Sequence, residues 1–273
     1  MIKLVAIDLD GTLFDKEKKI SDDNKKAIQK AREMGVYVVI ATGRPISGAM
    51  AVLNELGLTT ENDYAIIYNG AKIFNVGTKE TIFTSAIDGK AVKGLYEESK
   101  RLNVNIHAFR KNEELITPKH NPYTDVEATI NKITDVIADF DAINDDEEFL
   151  KCMLVDCDEA VTRCMTEVDP KYYTEYSMVR SAKIFLEFLN KNSDKGQALQ
   201  ALCNHLNIDI ADAMAIGDAG NDLPMLLCAG LGVAMENAFP EVKEKIKTYT
   251  ASNVESGVAR AIEKYILSNK NCE

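Results

Sequence analysis

Two aspartates two residues apart, Asp8 and Asp10, follow directly on the apolar run of residues 4–7 and lead into Gly11 and Thr12. Carboxylates held this close repel each other, so a stable fold keeps them together only with a cation or a shared proton. A hard divalent cation with oxygen ligands, Mg2+ above all, suits such a pair. Asp-Gly is also a common turn dipeptide, and the plain alternative is a helix cap or a polar turn after a strand. Three further polar clusters stand in the same relation to an apolar run. Thr42 and Gly43 follow residues 36–41, Lys195 opens a helix shortly after residues 184–189, and Asp218, Asn221 and Asp222 follow residues 213–216. A lysine at a helix start opposes the helix dipole, and a phosphate held between Lys195 and the helix N-terminus would relieve that. Taken singly, Thr42-Gly43 can be a turn, Lys195 a surface lysine and residues 217–222 a solvated loop.

The elements needed to bring these clusters together are legible. Unbroken apolar runs such as residues 4–7, 36–41 and 64–68 read as strands buried on both faces, in the centre of a parallel α/β sheet. In an open sheet of this kind, ligands bind outside the carboxyl ends of the strands, and those ends share one edge. Between the strands, Ser21 is placed to cap a helix whose apolar residues Ala27, Ile28, Ala31 and Met34 fall on one face. Asn69-Gly70 between two β-like runs predicts a hairpin. The opening pattern is therefore β-α-β-α-β and predicts a doubly wound sheet.

From about residue 83 to 183 the texture changes to short mixed strands and helices, which predicts an α+β insertion with an antiparallel sheet. Within it the pattern predicts a helix over 126–137, a strand over 149–155, a helix over 159–168 and a strand over 173–179. The acidic stretch 139–148 reads as a solvated loop. The core is expected to resume at 184, giving a core of residues 1–82 and 184–273 around an insertion of residues 83–183.

Forty-three acidic residues against 32 basic ones give a net charge of -11, which argues against a nucleic-acid or anionic-membrane surface. Six cysteines at 152, 157, 164, 203, 228 and 272 form no C-x-x-C pair, and His107, His120 and His205 are scattered, so no zinc-ligand spacing appears. The first apolar run is broken at Asp8, too early for a signal peptide, and no run approaches a membrane span. A cytoplasmic protein with reduced thiols is expected.

Together, Asp8-Leu-Asp10-Gly-Thr12, Ala41-Thr42-Gly43-Arg44, Lys195-Gly196 and Gly217-Asp218-x-x-Asn221-Asp222-x-x-Met225 resemble the four ordered signatures of the haloacid dehalogenase superfamily. More narrowly, with Tyr68-Asn69-Gly70-Ala71 and residues 232–238, the chain resembles the Cof-type sugar-phosphate phosphatases along its whole length. The resemblance implies a Rossmann-like core with an inserted α/β (C2-type) cap domain that selects the substrate. It implies a Mg2+-dependent phosphomonoesterase in which Asp8 is the nucleophile and Asp10 the general acid and base. By the same resemblance, Asp8, the Asp10 backbone carbonyl and Asp218 hold the metal with Asp222 in support. Thr42, the Leu9 and Gly43 amides, Lys195 and Asn221 would cradle the phosphoryl oxygens. Arg44, Asn69, Arg180 and Lys183 are candidate rim contacts for a small phosphorylated metabolite. A sugar-phosphate mutase or phosphotransferase of the same fold, and a non-catalytic phosphometabolite sensor, stay open beside the hydrolase.

Overall fold

A computed structural model describes residues 1–268. Cys272 lies outside the described residues, and the other five cysteines are free thiols. The chain divides into two compact units: Met1–Thr42 with Ala49–Phe83 and the chain from Asp194 onward, and Gly43–Gly48 with Thr84–Ser193.

The first unit begins with β1 (Leu4–Ile7), α1 (Asp22–Glu33), β2 (Tyr37–Ala41), α2 (Ile46–Glu55), β3 (Tyr64–Ile67), β4 (Lys72–Asn75) and β5 (Thr81–Thr84). Every residue of β1 is buried, as an all-apolar strand in mid-sheet must be. Ser21 accepts a hydrogen bond from the Asn24 amide at 3.2 Å and so starts α1, which turns Ala27, Ile28 and Ala31 inward.

The second unit contributes β6 (Ile87–Asp88), α3 (Gly89–Leu102), β7 (Asn105–Arg110), β8 (Leu115–Thr117), α4 (Pro122–Asn131), β9 (Asp135–Ile137) and β10 (Glu148–Val155). It ends with α5 (Asp158–Glu167), α6 (Lys171–Glu175), β11 (Tyr176–Ala182) and β12 (Phe185–Asn190). The chain then returns to the first unit with α7 (Lys195–His205), β13 (Ala213–Gly217), α8 (Leu223–Cys228), β14 (Leu231–Ala234), α9 (Pro240–Lys245) and α10 (Gly257–Tyr265).

Among the described residues the first sheet runs in the order β14-β13-β1-β2-β3-β4-β5. The neighbours from β14 to β3 are parallel, whereas β4 turns back antiparallel on β3 as the Asn69-Gly70 signal predicts. From β1 the chain winds outward to β3 on one side and later returns to β13 on the other. The strand order therefore reverses between β1 and β13, with Ile7 paired to Ile216 at the end of that pair. A crevice opens at such a reversal, outside the carboxyl ends of the strands.

The second sheet runs β11-β12-β10-β7-β8-β9, with β6 also paired to β10. It is not wholly antiparallel as expected: β8 and β9 pair in parallel. One face of this sheet carries Ile106, Ala108, Cys152, Leu154, Leu186 and Phe188 against Val92 and Leu95 of α3 and Val161 and Cys164 of α5. Alternate strand positions point to the opposite face, and there β10 places Lys151 and Met153 beside His107 of β7 and Glu187 of β12.

Four boundaries depart from expectation. Residues 185–190 pair with β10 and β11, so the core resumes at Asp194 and not at 184. A buried apolar strand carries no local mark of which sheet it joins. The expected helix over 126–137 ends at Asn131, because Lys132 takes a left-handed cap conformation and the chain restarts as β9. The expected strand over 173–179 starts as the short helix α6 before β11. The acidic stretch 139–148 anchors itself by burying Phe140 and Ile143.

Candidate active site

Four segments of the first unit deliver side chains to the carboxyl edge of its sheet. Asp8 directly follows β1, Thr42 follows β2, Asp218 follows β13, and α7 begins with Lys195. Asp8 is tied to the neighbouring strand by its own amide, which donates to the Ile216 carbonyl at 3.0 Å. The backbone then turns sharply at Gly11, with φ +94 and so little space that a Cβ there would lie 2.3 Å from Asp218 Oδ2. Only glycine meets both demands. The turn brings Thr12 inward, and its hydroxyl donates to Asp218 Oδ1 at 2.7 Å.

Lys195 is fully buried, and its Nζ donates to Asp8 Oδ1 and to Asp222 Oδ1, each at 2.6 Å. The other oxygen of Asp222 accepts from the backbone amides of Asp218 and Ala219 at 2.9 and 3.0 Å. Asp222 therefore orients both the lysine and the loop that carries Asp218. The unfavourable place of a cation at the start of α7 is relieved by these two carboxylates, where the sequence suggested a phosphate.

Carboxylate oxygens of Asp8, Asp218 and Asp222 lie within 4.8 Å of one another. One ammonium faces three carboxylates, so the cluster carries an excess of buried negative charge. Burial and then the charge of Asp222 push the Asp8 carboxyl up to about 8 against the pull of Lys195. Burial raises the Asp218 carboxyl to about 6, opposed by the Thr12 hydrogen bond and helped by Asp222. Burial would lower the Lys195 ammonium, but the charges and hydrogen bonds of Asp222 and Asp8 hold it above its ordinary value. This donor set, hard, anionic and short of positive charge, fits a divalent cation such as Mg2+, which would favour the charged forms of Asp8 and Asp218 again.

The remaining expected residues fall in varied places. Asp10 is exposed at the rim of the turn, where Lys18 donates to its Oδ1. Leu9 is buried, and its carbonyl accepts from the amides of Thr12 and Phe14. Thr42 is buried, its amide bonded to the Ile66 carbonyl. Asn221 donates through Nδ2 to Asn69 Oδ1 at 3.0 Å. Gly43 and Arg44 belong to the second unit. There too lie Arg180 and Lys183, which share a carboxylate: Arg180 Nη2 is 2.6 Å and Lys183 Nζ 3.6 Å from Asp158, and the Lys183 side chain is 84% exposed. Sequence reading gave no role to Thr12 or Lys18. Thr12 lay inside the quoted signature, but its bond to Asp218 joins residues 206 apart and leaves no local trace.

The family model for haloacid dehalogenase-like hydrolases matches residues 5–262. The Bacillus subtilis (strain 168) protein YxeH is 38% identical over 98% of this chain and its own full length. The 5-amino-6-(5-phospho-D-ribitylamino)uracil phosphatase YcsE of the same organism is 32% identical over 97% of this chain and 96% of its own. Among solved structures, a haloacid dehalogenase-like hydrolase from Bacteroides thetaiotaomicron superposes with a TM-score of 0.84 at 32% identity, covering 97% of this chain and 99% of that one. The chain belongs to the haloacid dehalogenase-like hydrolases, in their Cof-type phosphatase branch.

Proposed function

We propose that this phosphatase hydrolyses the phosphomonoesters of small metabolites, sugar phosphates foremost, by way of an aspartyl-phosphate on Asp8 and with Mg2+. The observation that carries the reading is the buried Asp8–Lys195–Asp222 arrangement beside Asp218, at the strand-order reversal of the sheet. In the first step an Asp8 carboxylate oxygen forms a bond to phosphorus as the bond to the leaving oxygen breaks, and Asp10 gives that oxygen its proton. In the second, Asp10 takes a proton from water, whose oxygen displaces Asp8 and releases inorganic phosphate. Splitting one displacement into two lowers each barrier. Lys195 holds Asp8 in place and, with Thr42, Asn221 and the amides of Leu9 and Gly43, meets the charge on the phosphoryl oxygens. Mg2+ held by Asp8, the Asp10 carbonyl and Asp218 would offset the repulsion between an anionic nucleophile and an anionic phosphate.

The second unit, with Arg44, Arg180 and Lys183, is assigned the choice of leaving group. The relative YcsE is named for a substrate whose phosphate sits on a ribityl chain, which supports placing sugar and polyol phosphates first. The test is phosphate release across sugar, polyol, nucleotide and vitamin phosphates, with Mg2+ and with chelator. Release from some members that chelator abolishes is the expected outcome. In Asp8→Asn, release should fall by at least about a thousandfold while the fold persists. Undiminished release in that variant would remove Asp8 from the nucleophile's role, and isomerised sugar phosphate in excess of free phosphate would favour a mutase.

A further inference from the structure

The connection between β3 and β4 is strained at two residues that bear side chains. Tyr68, Asn69 and Gly70 follow one another with φ of +51, +53 and +97, and all three are buried. An asparagine tolerates the left-handed region, but an aromatic residue there is an outlier that only firm surroundings hold in place. Such strain clusters at functional sites.

The surroundings of this turn are the other segments of the candidate site. The Asn69 amide donates to the Thr42 carbonyl at 3.1 Å, at the end of β2. Asn69 Oδ1 accepts from Asn221 Nδ2 at 3.0 Å, in the loop after β13. Gly70 lies so close to the start of α7 that a Cβ on it would be 2.2 Å from the Asp194 carbonyl oxygen and 2.9 Å from the Lys195 nitrogen. One three-residue turn thus touches the backbone beside Thr42, the side chain of Asn221 and the backbone beside Lys195. Those are three of the groups assigned above to the phosphoryl oxygens.

We propose that Asn69 is a positioning residue that fixes the Asn221 carboxamide for phosphate and does not itself contact the leaving group. An asparagine amide has two N–H donors. With one committed to Asn69 Oδ1, the plane of the Asn221 amide is set and its second N–H is the one presented to a phosphoryl oxygen. The left-handed backbone at Asn69 aims its side chain at Asn221, and the strain at Tyr68 is what that aim requires. This assignment rests on the phosphatase reading above, and it moves Asn69 from the substrate rim to the support of the phosphate cradle.

The test is a double-mutant cycle on binding of inorganic phosphate, measured by calorimetry in the presence of Mg2+, alongside turnover of p-nitrophenyl phosphate. Asn69→Gly keeps a residue at ease with positive φ and removes only the acceptor. Phosphate should bind about tenfold more weakly to Asn69→Gly, in line with losing one hydrogen-bond constraint on a charged ligand. Asn221→Ala should lose at least as much, and the double variant should bind no more weakly than Asn221→Ala alone. If the two losses multiply, if Asn69→Gly binds phosphate like the wild type, or if the wild type binds none, the assignment is overturned. Should Asn69→Gly fail to fold, Asn69→Ser decides, because it stays neutral and its side chain is too short to reach Asn221. A phosphate affinity about tenfold below wild type supports the assignment, and an affinity within about threefold of wild type overturns it. Wild-type protein that binds phosphate but releases none from any ester would sink the phosphatase reading while leaving the binding cycle intact as the measure of Asn69.

Discussion

Lys195 begins a helix, where a cation is unfavourable, and it is wholly enclosed, where a cation is unfavourable again. Both costs are met by Asp8 and Asp222, each 2.6 Å from its Nζ. No single position in the sequence shows this pairing, yet the residue types were legible, since each of the three ends or begins an element at the same sheet edge. Asp222 was expected to support a metal, and both of its oxygens are engaged by Lys195 and by backbone amides. Another buried titratable side chain, His107, belongs to the second sheet. Its ring nitrogens meet Thr124 Oγ1 at 3.0 Å and Met153 Sδ at 3.1 Å. Burial, with the Lys151 charge adding, lowers its pKa to about 3, so the folded protein holds it neutral. Below the ordinary value of 6.5 the unfolded chain binds a proton that the folded one refuses. Stability therefore falls as pH drops, by about 1.4 kcal/mol per pH unit until the folded pKa is reached. Between pH 7 and pH 5 the wild type should lose about 2 kcal/mol more than His107→Gln in urea unfolding. Equal losses in the two proteins would show that His107 takes up its proton without unfolding.

At the scale of elements, the strands were readable wherever an apolar run met a polar cluster, as in β1, β2 and β13. The hairpin around Asn69-Gly70 announced itself through turn chemistry. What escaped was partnership. Residues 185–190 read as a strand and are one, but an apolar run pairs equally well with either sheet, and only the antiparallel register with β10 decides. For the same reason the side-chain bond between Asn69 and Asn221 had no sequence signature, since it spans 152 positions. The second sheet holds another feature invisible in the sequence. Lys151 of β10 lies 3.2 Å from Glu187 of β12 and 3.5 Å from Glu127 of α4, with the Phe109 ring centroid 5.1 Å away. All three charged side chains are buried. Burial would lower the Lys151 ammonium, but the two glutamates hold it above its ordinary value, while burial raises the Glu127 carboxyl against the pull of Lys151. This cluster joins α4 to the face of the sheet that α3 and α5 leave uncovered. Lys151→Met leaves two carboxylates without their cation and should cost about 3–5 kcal/mol in urea unfolding. Adding Glu127→Gln and Glu187→Gln should return most of that loss, because neutral groups carry no comparable desolvation cost. If the triple variant is no more stable than Lys151→Met alone, the lysine acts through its packing and not through its charge.

For the molecule as a whole, the relevant quantities are its charge and its division into units. No helix among the described residues is long and apolar enough to cross a membrane. The net charge of -11 repels the dianionic esters that the proposed reaction consumes. In the proposed site attraction is local, from Lys195 and, once bound, from the divalent cation that Asp8 and Asp218 would hold. Those partners are short-ranged and buried, whereas the repulsion is spread over the surface and open to screening. The Debye length shortens from about 30 Å at 0.01 M salt to about 8 Å at 0.15 M. Added monovalent salt should therefore weaken the long-range repulsion while leaving the buried contacts nearly untouched. At fixed free Mg2+, kcat/KM for a dianionic sugar phosphate should rise about two- to threefold over that range, opposite in sign to an electrostatically steered enzyme. The rise should come mainly through a lower KM, since the bonds to phosphate inside the site are shielded from the added ions. A fall in kcat/KM over the same range would mean that positive potential from the second unit, or from the bound cation, reaches well outside the site. In that case the local field, and not the net charge, governs how substrate arrives.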